Sequence, residues 1–571
     1  MRHLLRCRPI WIALAAVTLA TACGENDGTH KGGTLKVLAA GDVDSIDPGI
    51  AYYQFSYMVH YATQRPLYSW APNETKSPTP DLAEDEPRVS DDGRTVSIKI
   101  REGVNYSPPV NREVTAKDVK YALERGITNN ISNPYVGTYF SSLEGFGSFE
   151  KGKAKEVSGI QTPDDRTIVF KLARPTGVIA SAEALSLPLS APVPREYAER
   201  FDQRAVSNYG QHQVATGPYM IQNDRSGKLT GYEPGKRILL VRNPNWDEGT
   251  DYRDANLDRI EIDEGNDPPV ASRQILNGSN AVSGDFLPPA AVLKTASASR
   301  SEQIASTPSG GNRYVALNTT IPPFDDVNVR RAVVAAADRD ALRLTIGGAK
   351  VGDVATHFIP PGVPGFEQAG GYESKLDFLR DPQGDMALSS SYMKMAGYES
   401  GKYEGDERLL AVGASEDPDR KTAEVTQTLF EGLGFKLDLR LVSAETMYTK
   451  FCGTPKAKVA ICPNVGLAKD FNDAQSMLVP GFSGRSILPV NNSNWPQLDD
   501  PKVNAAMEQA EALTEPDARA KAWGRIDLMV TALAPAIPWT WDRQVSIRSS
   551  NVAGVINRFN ATWDLSFTSL E

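Results

Sequence analysis

The run GLAKDFNDAQSML, Gly466 to Leu478, sets Lys469, Asp470 and Asp473 around Phe471 between two apolar segments. A carboxylate beside an aromatic ring suits a cationic ligand. An ammonium taken from water into protein is costly unless it is paired and hydrogen-bonded. A solvated acidic turn accounts for the same residues, so both readings stand at this point. Asp473 is placed to cap the following turn or helix, because Asx side chains accept from backbone N–H groups two or three residues on. Lys469 is expected on the opposite face if the segment is extended. Catalysis has less support. The five histidines, at positions 3, 30, 60, 212 and 357, are scattered, with neither an H-E-x-x-H zinc spacing nor a G-x-S-x-G elbow. No metal site or other cofactor is predicted. An acid pair assembled by folding keeps a secreted hydrolase among the alternatives.

The ends of the chain limit where this chemistry operates. Arg2, Arg6 and Arg8 precede an apolar run from Ile10 to Ala20, and Thr21-Ala22-Cys23 comes next. That order reads as a secretory signal over residues 1–22. The run is too short for the roughly 20 residues that span a bilayer. Loss of residues 1–22 takes three arginines and moves the formal charge from −10 to −13. An acidic chain of this kind argues against nucleic acid as a partner. The Thr-Ala-Cys context resembles the lipobox of bacterial lipoproteins, with Ala20 where leucine is usual. The resemblance implies that Cys23 becomes a lipid-modified N-terminus and that two or more acyl chains anchor the protein to the membrane. Residues 23–33 then form anchor and tether. Cys452 and Cys462 are left as the remaining cysteines of an exported chain, and a disulfide is the expected state. Two thiolates with no histidine near them do not complete a zinc shell.

About 550 mature residues exceed what one core serves, so at least two lobes are expected. Val96, Ile98 and Ile100 alternate with polar residues after an Asp92-Gly93 turn, and Ile168, Phe170 and Leu172 repeat the pattern. These two hairpin signals predict one small sheet closed over an intervening helix. That helix opens on Thr115 with Asp118 three places on, a capping-box-like start, and Gly126 is its expected end. An earlier helical stretch runs from Tyr52 to Tyr61. Further on, a strand at Tyr314–Leu317 leads through Pro322-Pro323 to a helix capped near Asp326. Leu409 to Val442 then reads strand, helix, Gly434 stop, strand, the alternation of a mainly parallel sheet. Arg330 and Arg331 are expected on a helix surface or in interlobe contacts.

The ordered blocks GGTL, DSIDP, PDLAE…SDDGRTVSIKIREGV, TAKDVKYALERG, ATGPYMI, VRNPNWD, ALNTTIPPFDDVNVRRAVVAAADR, IPPG and AKDFNDA resemble the family 5 extracellular solute-binding proteins of ABC importers, the oligopeptide/dipeptide-binding class. The resemblance runs from about Lys31 to the last residues. It implies an α/β fold: a two-lobed, periplasmic-binding-protein-like clamshell with an extra small α+β subdomain on the first lobe. The implied segments are lobe I at 34–70, the extra subdomain at 71–178, lobe I again at 179–310, lobe II at 311–540, and a C-terminal return to lobe I at 541–571. A ligand would be enclosed between the lobes by hinge closure.

By position in the AKDFNDA block, Asp470 is the residue expected to receive the α-ammonium of a peptide, with Phe471 and Asp473 beside it. Asp473-Ala474 departs from the Asp-Pro common in the family. Tyr52 and Tyr53 are candidates to line the cleft, with core packing as the alternative for either. The implied partners are a peptide or other small solute, the permease and ATPase subunits of an ABC transporter, and the membrane through the lipid anchor. The protein is expected to act as a monomer. A different solute on the same fold, such as an oligosaccharide or a metal chelate, is the main alternative.

Overall fold

Alternation of apolar and polar residues builds a small four-stranded sheet. Val96 and Ile98 pair with Phe170 and Ile168 across the antiparallel strands Thr95–Lys99 and Thr167–Lys171. Arg88–Val89 and Ile160–Gln161 complete its four strands. In this computed structural model, which describes residues 31–571 apart from 129, 132, 134, 204 and 205, helix Ala116–Ile127 buries Val119, Ala122 and Leu123. Its start is a true capping box: the Thr115 side chain accepts from the N3 backbone, and the Asp118 carboxylate accepts from the Thr115 N–H at 2.9 Å. Gly126, expected to end the helix, lies inside it. Its role is packing, because a Cβ there would come within 2.5 Å of Leu189. The segment expected to be a signal, residues 1–22, and Cys23 lie outside the described residues.

The first lobe is built on a six-stranded sheet. Strand Thr34–Leu38 lies parallel to Arg259–Asp263 on one side and to Ala281–Ser283 on the other. Arg237–Arg242 and Tyr219–Ile221 extend it antiparallel, with Tyr232–Glu233 beside Arg237–Arg242. Leu35 and Val37 are completely buried in a core that also takes in Val552, Trp563 and Leu570 from the end of the chain.

The second lobe carries another six-stranded sheet, in the order Gly352–Asp353, Ala536–Ile547, Ile304–Leu317, Ile461–Ala468, Arg408–Ala414, Lys436–Val442. Arg408–Ala414 and Lys436–Val442 are parallel and flank helix Asp419–Gly432, the βαβ unit legible in the sequence. Strand Ile304–Leu317 is far longer than the expected Tyr314–Leu317. A register shift between Pro308 and Asn312 lets it pass Gly310 and Gly311 without ending. It pairs antiparallel with Ala536–Ile547 down to Ile304 opposite Ile547, where the Ile547 N–H donates to Ser283 Oγ at 3.0 Å. These two strands therefore form the neck between the lobes.

Arg330 differs from expectation, whereas Arg331 is partly exposed on the surface of helix Val327–Ala336. Arg330 is buried within the second lobe, donating to the carbonyls of Phe324 and Leu533, and Arg331 donates to the Ala532 carbonyl. Both close the C-terminus of helix Pro516–Ala532, where a cation meets unpaired carbonyls and the negative end of the helix dipole. Cys452 and Cys462 are disulfide-bonded, tying the segment Met447–Cys452 to strand Ile461–Ala468.

Candidate functional site

Strand Ile461–Ala468 runs out of the second-lobe sheet directly into the Lys469–Asp473 loop. The loop crosses to the first lobe and the extra subdomain. Its root is fixed by the Lys469 N–H, which donates to the Gly310 carbonyl at 3.1 Å. The Asn472 N–H donates to Glu183 at 3.0 Å, and the Asn472 amide donates to the Thr75 carbonyl. Phe471 is completely buried in the core of the extra subdomain, edge-on to Tyr139 with ring centroids 4.6 Å apart. With no exposed surface, Phe471 acts through what it positions.

Asp470 lies where this loop meets Tyr139. It stays partly exposed, and its carboxylate accepts from the Tyr139 hydroxyl. Burial pushes its carboxyl up to about 7, while hydrogen bonds from Tyr139 and Tyr135 pull it down. Burial, then the Asp470 charge, pushes the Tyr139 phenol well above its usual range, so the hydroxyl remains a donor at every physiological pH. The result is a carboxylate walled by aromatic rings, with Tyr135 and Tyr139 stacked at 6.0 Å. Such a group offers charge, acceptors and π faces to a small organic cation.

Lys469 and Asp473 turn to other partners. Lys469 Nζ donates to Asn472 at 3.1 Å and sits 4.6 Å over the Phe559 ring. Burial pushes this amine down to about 8, and Glu183 works against the shift. Asp473 accepts from the Gln475 N–H at 2.9 Å, the capping bond expected of it, and from Arg519 Nε at 2.8 Å. Its carboxylate is thus committed within the second lobe.

Tyr52 and Tyr53 are 48% and 49% exposed, so neither packs into the core. Their backbone N–H groups both donate to Asp44, at 2.9 and 3.1 Å, which anchors them at the start of helix Gln54–Thr63. The Tyr135 hydroxyl reaches the Tyr52 carbonyl at 3.4 Å, bringing this corner of the first lobe beside the Asp470 group. Reasoning on the sequence missed Tyr135 and Tyr139. Their segment carried no periodic signal, and Tyr139 stands 331 residues from Asp470.

Two lobes joined by a paired-strand neck, with an ordered loop of one reaching the other around a partly exposed carboxylate, define a clamshell binding protein. Residues 77–510 match the sequence model described as "Bacterial extracellular solute-binding proteins, family 5 Middle". The chain belongs to that family, the substrate-binding proteins of ABC importers, which are binding proteins and not enzymes. It is 22% identical over 476 residues to the oligopeptide-binding protein OppA of Bacillus subtilis (strain 168), covering 82% of this chain and 80% of the relative. It is equally 22% identical over 477 residues to the probable deoxycholate-binding periplasmic protein YgiS of Escherichia coli (strain K12), covering 82% and 80%. Among solved structures it resembles clavulanic acid biosynthesis oligopeptide binding protein 2, with a TM-score of 0.82, 28% identity, and 95% and 96% of the two chains covered. Among the described residues no helix is long and apolar enough to cross a membrane.

Proposed function

We propose that this protein captures peptides between its lobes and delivers them to the permease of an ABC importer. Cys23 would hold it to the outer face of the cell membrane as a lipoprotein monomer. One observation carries the peptide reading: Asp470 is the partly exposed carboxylate at the meeting of the lobes, ringed by phenols that can shield an ammonium. In this reading Asp470 takes the α-ammonium of the ligand, and the ligand's side chains are left to vary. Tyr52 and Tyr53 line the first-lobe wall, Phe471 holds the loop in place, and Asp473 fixes its exit. Relatives described as oligopeptide-binding support the assignment, and a relative described as a probable deoxycholate-binding protein keeps another solute as the alternative.

Calorimetry with a free peptide and its N-acetylated twin tests the reading. Acetylation should abolish most of the affinity, and Asp470→Ala should weaken the free peptide by about 3–5 kcal/mol, the cost of removing one partner of a buried pair. Equal affinity for both peptides would sink the ammonium role.

A further inference from the structure

The second-lobe sheet carries another charged group in line with Asp470. Arg313, on strand Ile304–Leu317, directs Nε at both oxygens of Asp542, each at 3.0 Å. Its Nη1 lies 3.8 Å from Asp419, the first residue of helix Asp419–Gly432. One guanidinium faces two carboxylates, so the group is net negative. Asn464 completes it: the side-chain amide donates to Asp419 at 2.6 Å. Asn464 is only 4% exposed, yet its Oδ1 has no hydrogen-bond partner. Turning the amide over would set oxygen against carboxylate, so the unpaired atom is the amide oxygen, an acceptor. A buried acceptor left unpaired costs about 1–3 kcal/mol, which calls for a donor at this spot.

The surroundings agree. Arg313 keeps 36% of its side chain exposed, with Asp419 and Asp542 each accessible to a lesser degree. Tyr448 is partly exposed, and the charges of Arg313, Asp419 and Asp542 all bear on its hydroxyl. Burial pushes the Asp419 carboxyl up in spite of Arg313 and Asn464. A further cation would therefore be favoured beside it. The position is also the expected one for a ligand. Asp419 follows the carboxyl end of strand Arg408–Ala414. Asn464, midway along the neighbouring parallel strand Ile461–Ala468, is three residues past the Ala411–Ile461 pairing and so level with that end, where open α/β sheets bind ligands. Arg313 lies opposite Gly466 in the sheet. Asp470 is four residues further on, about 13 Å along an extended chain.

We propose that Asp419, Asn464, Asp542 and Tyr448, with Arg313 bracing the carboxylates, form a second subsite of the cleft that takes a guanidinium or ammonium side chain. The ligands preferred would be peptides with a basic residue within their first four positions, since an extended peptide rises about 3.3 Å per residue. This inference rests on the peptide reading of the Asp470 group and adds a side-chain preference to it. The Asn464 carbonyl and Asp419 accept from the ligand cation, and Tyr448 offers its ring. A bare metal ion is a poor occupant beside the Arg313 guanidinium, and the described residues hold no cluster of three or more metal-ligating side chains.

Calorimetry decides the matter with tetra-alanine and variants in which arginine or glutamate is walked from the second to the fourth position. Arginine at one of these positions should tighten binding by about tenfold or more, as charge-assisted hydrogen bonds in an enclosed site do. Asp419→Asn should erase that advantage and change the affinity for tetra-alanine far less. Asp470→Asn should weaken all the peptides alike. Agmatine, which carries a guanidinium and an ammonium but no peptide backbone, should raise the melting temperature of wild type clearly more than that of Asp419→Asn, where only the Asp470 group is left to hold it. Peptides that bind with no preference for arginine, or with a preference for glutamate, would overturn the subsite and leave the peptide reading standing. If no peptide binds, the peptide reading fails, and the subsite stands or falls on agmatine alone.

Discussion

The Tyr139 hydroxyl donates its hydrogen bond to the Asp470 carboxylate, joining the extra subdomain to the second lobe across the cleft. Any ammonium arriving at Asp470 shares the carboxylate with this phenol or displaces it. Tyr139→Phe removes a donor that holds the Asp470 carboxyl down. The midpoint of pH-dependent binding should then move upward, by an amount that calorimetry across pH 5 to 9 resolves. A midpoint that stays where wild type has it would show that the phenol does not act on the titration of Asp470.

Binding itself should depend on pH in a defined direction. The Asp470 carboxyl titrates near 7, and only its ionised form pairs with an ammonium. Affinity for a free peptide should fall as pH drops below about 7, by up to about tenfold per unit. An N-acetylated peptide should show no such slope.

Stability moves the opposite way. The folded-state pKa of Asp470 is raised by burial, from an ordinary 3.8 to about 7. Below the unfolded value the carboxyl is neutral in both states and carries no penalty. The cost grows as pH rises from about 4 to about 7 and is complete above that. Asp470→Asn should therefore stabilise the ligand-free protein by roughly 1–3 kcal/mol at pH 8, the range set by partial exposure. The gain should vanish below about pH 4. Denaturant titrations at the two pH values check it, and a variant that is less stable at pH 8 would contradict the burial argument.

Asp473 and Arg519 form a buried ion pair at 2.8 Å inside the second lobe. Asp473→Ala leaves the Arg519 charge without its carboxylate and should cost about 3–5 kcal/mol of stability. Peptide affinity, measured where the variant is folded, should fall much less than in Asp470→Ala. The reverse ranking would mean that Asp473 reaches the ligand.

The disulfide between Cys452 and Cys462 closes a loop with a sequence separation of 10. In the chain-entropy account such a loop contributes about 2–3 kcal/mol. Replacing both cysteines by serine should lower the denaturation midpoint accordingly. Cys23→Ser, in turn, should move the protein from the membrane fraction to the soluble one, as fractionation and blotting would show.

The sequence made local features plain and long-range ones invisible. The Thr115–Asp118 capping box, the paired alternation of Val96–Ile98 with Ile168–Phe170, and the βαβ unit around helix Asp419–Gly432 all carry periodic or capping signals within short stretches of chain. Asp470 stood out because a short block of residues resembles a family motif. The phenols around it did not, since a hydrogen bond spanning 331 positions leaves no periodicity to read. The same holds for Arg313 and Asp542, 229 positions apart. Strand Ile304–Leu317 reads short in the sequence because Pro308, Gly310 and Gly311 imitate a strand end, whereas the register shift there is absorbed as a bulge.

The paired-strand neck also governs the order of assembly. Ile304 and Ile547 lie opposite one another, so everything between them leaves and returns through one gate. The first lobe is sealed only by the last stretch of chain, whose Val552, Trp563 and Leu570 fill the core around Leu35 and Val37. A chain emerging N-terminus first can therefore finish its second lobe while the first still waits for its closing segment. The part made earliest is completed last, and a chain cut just beyond Ile547 should show a protease-resistant second lobe beside a first lobe that is readily digested.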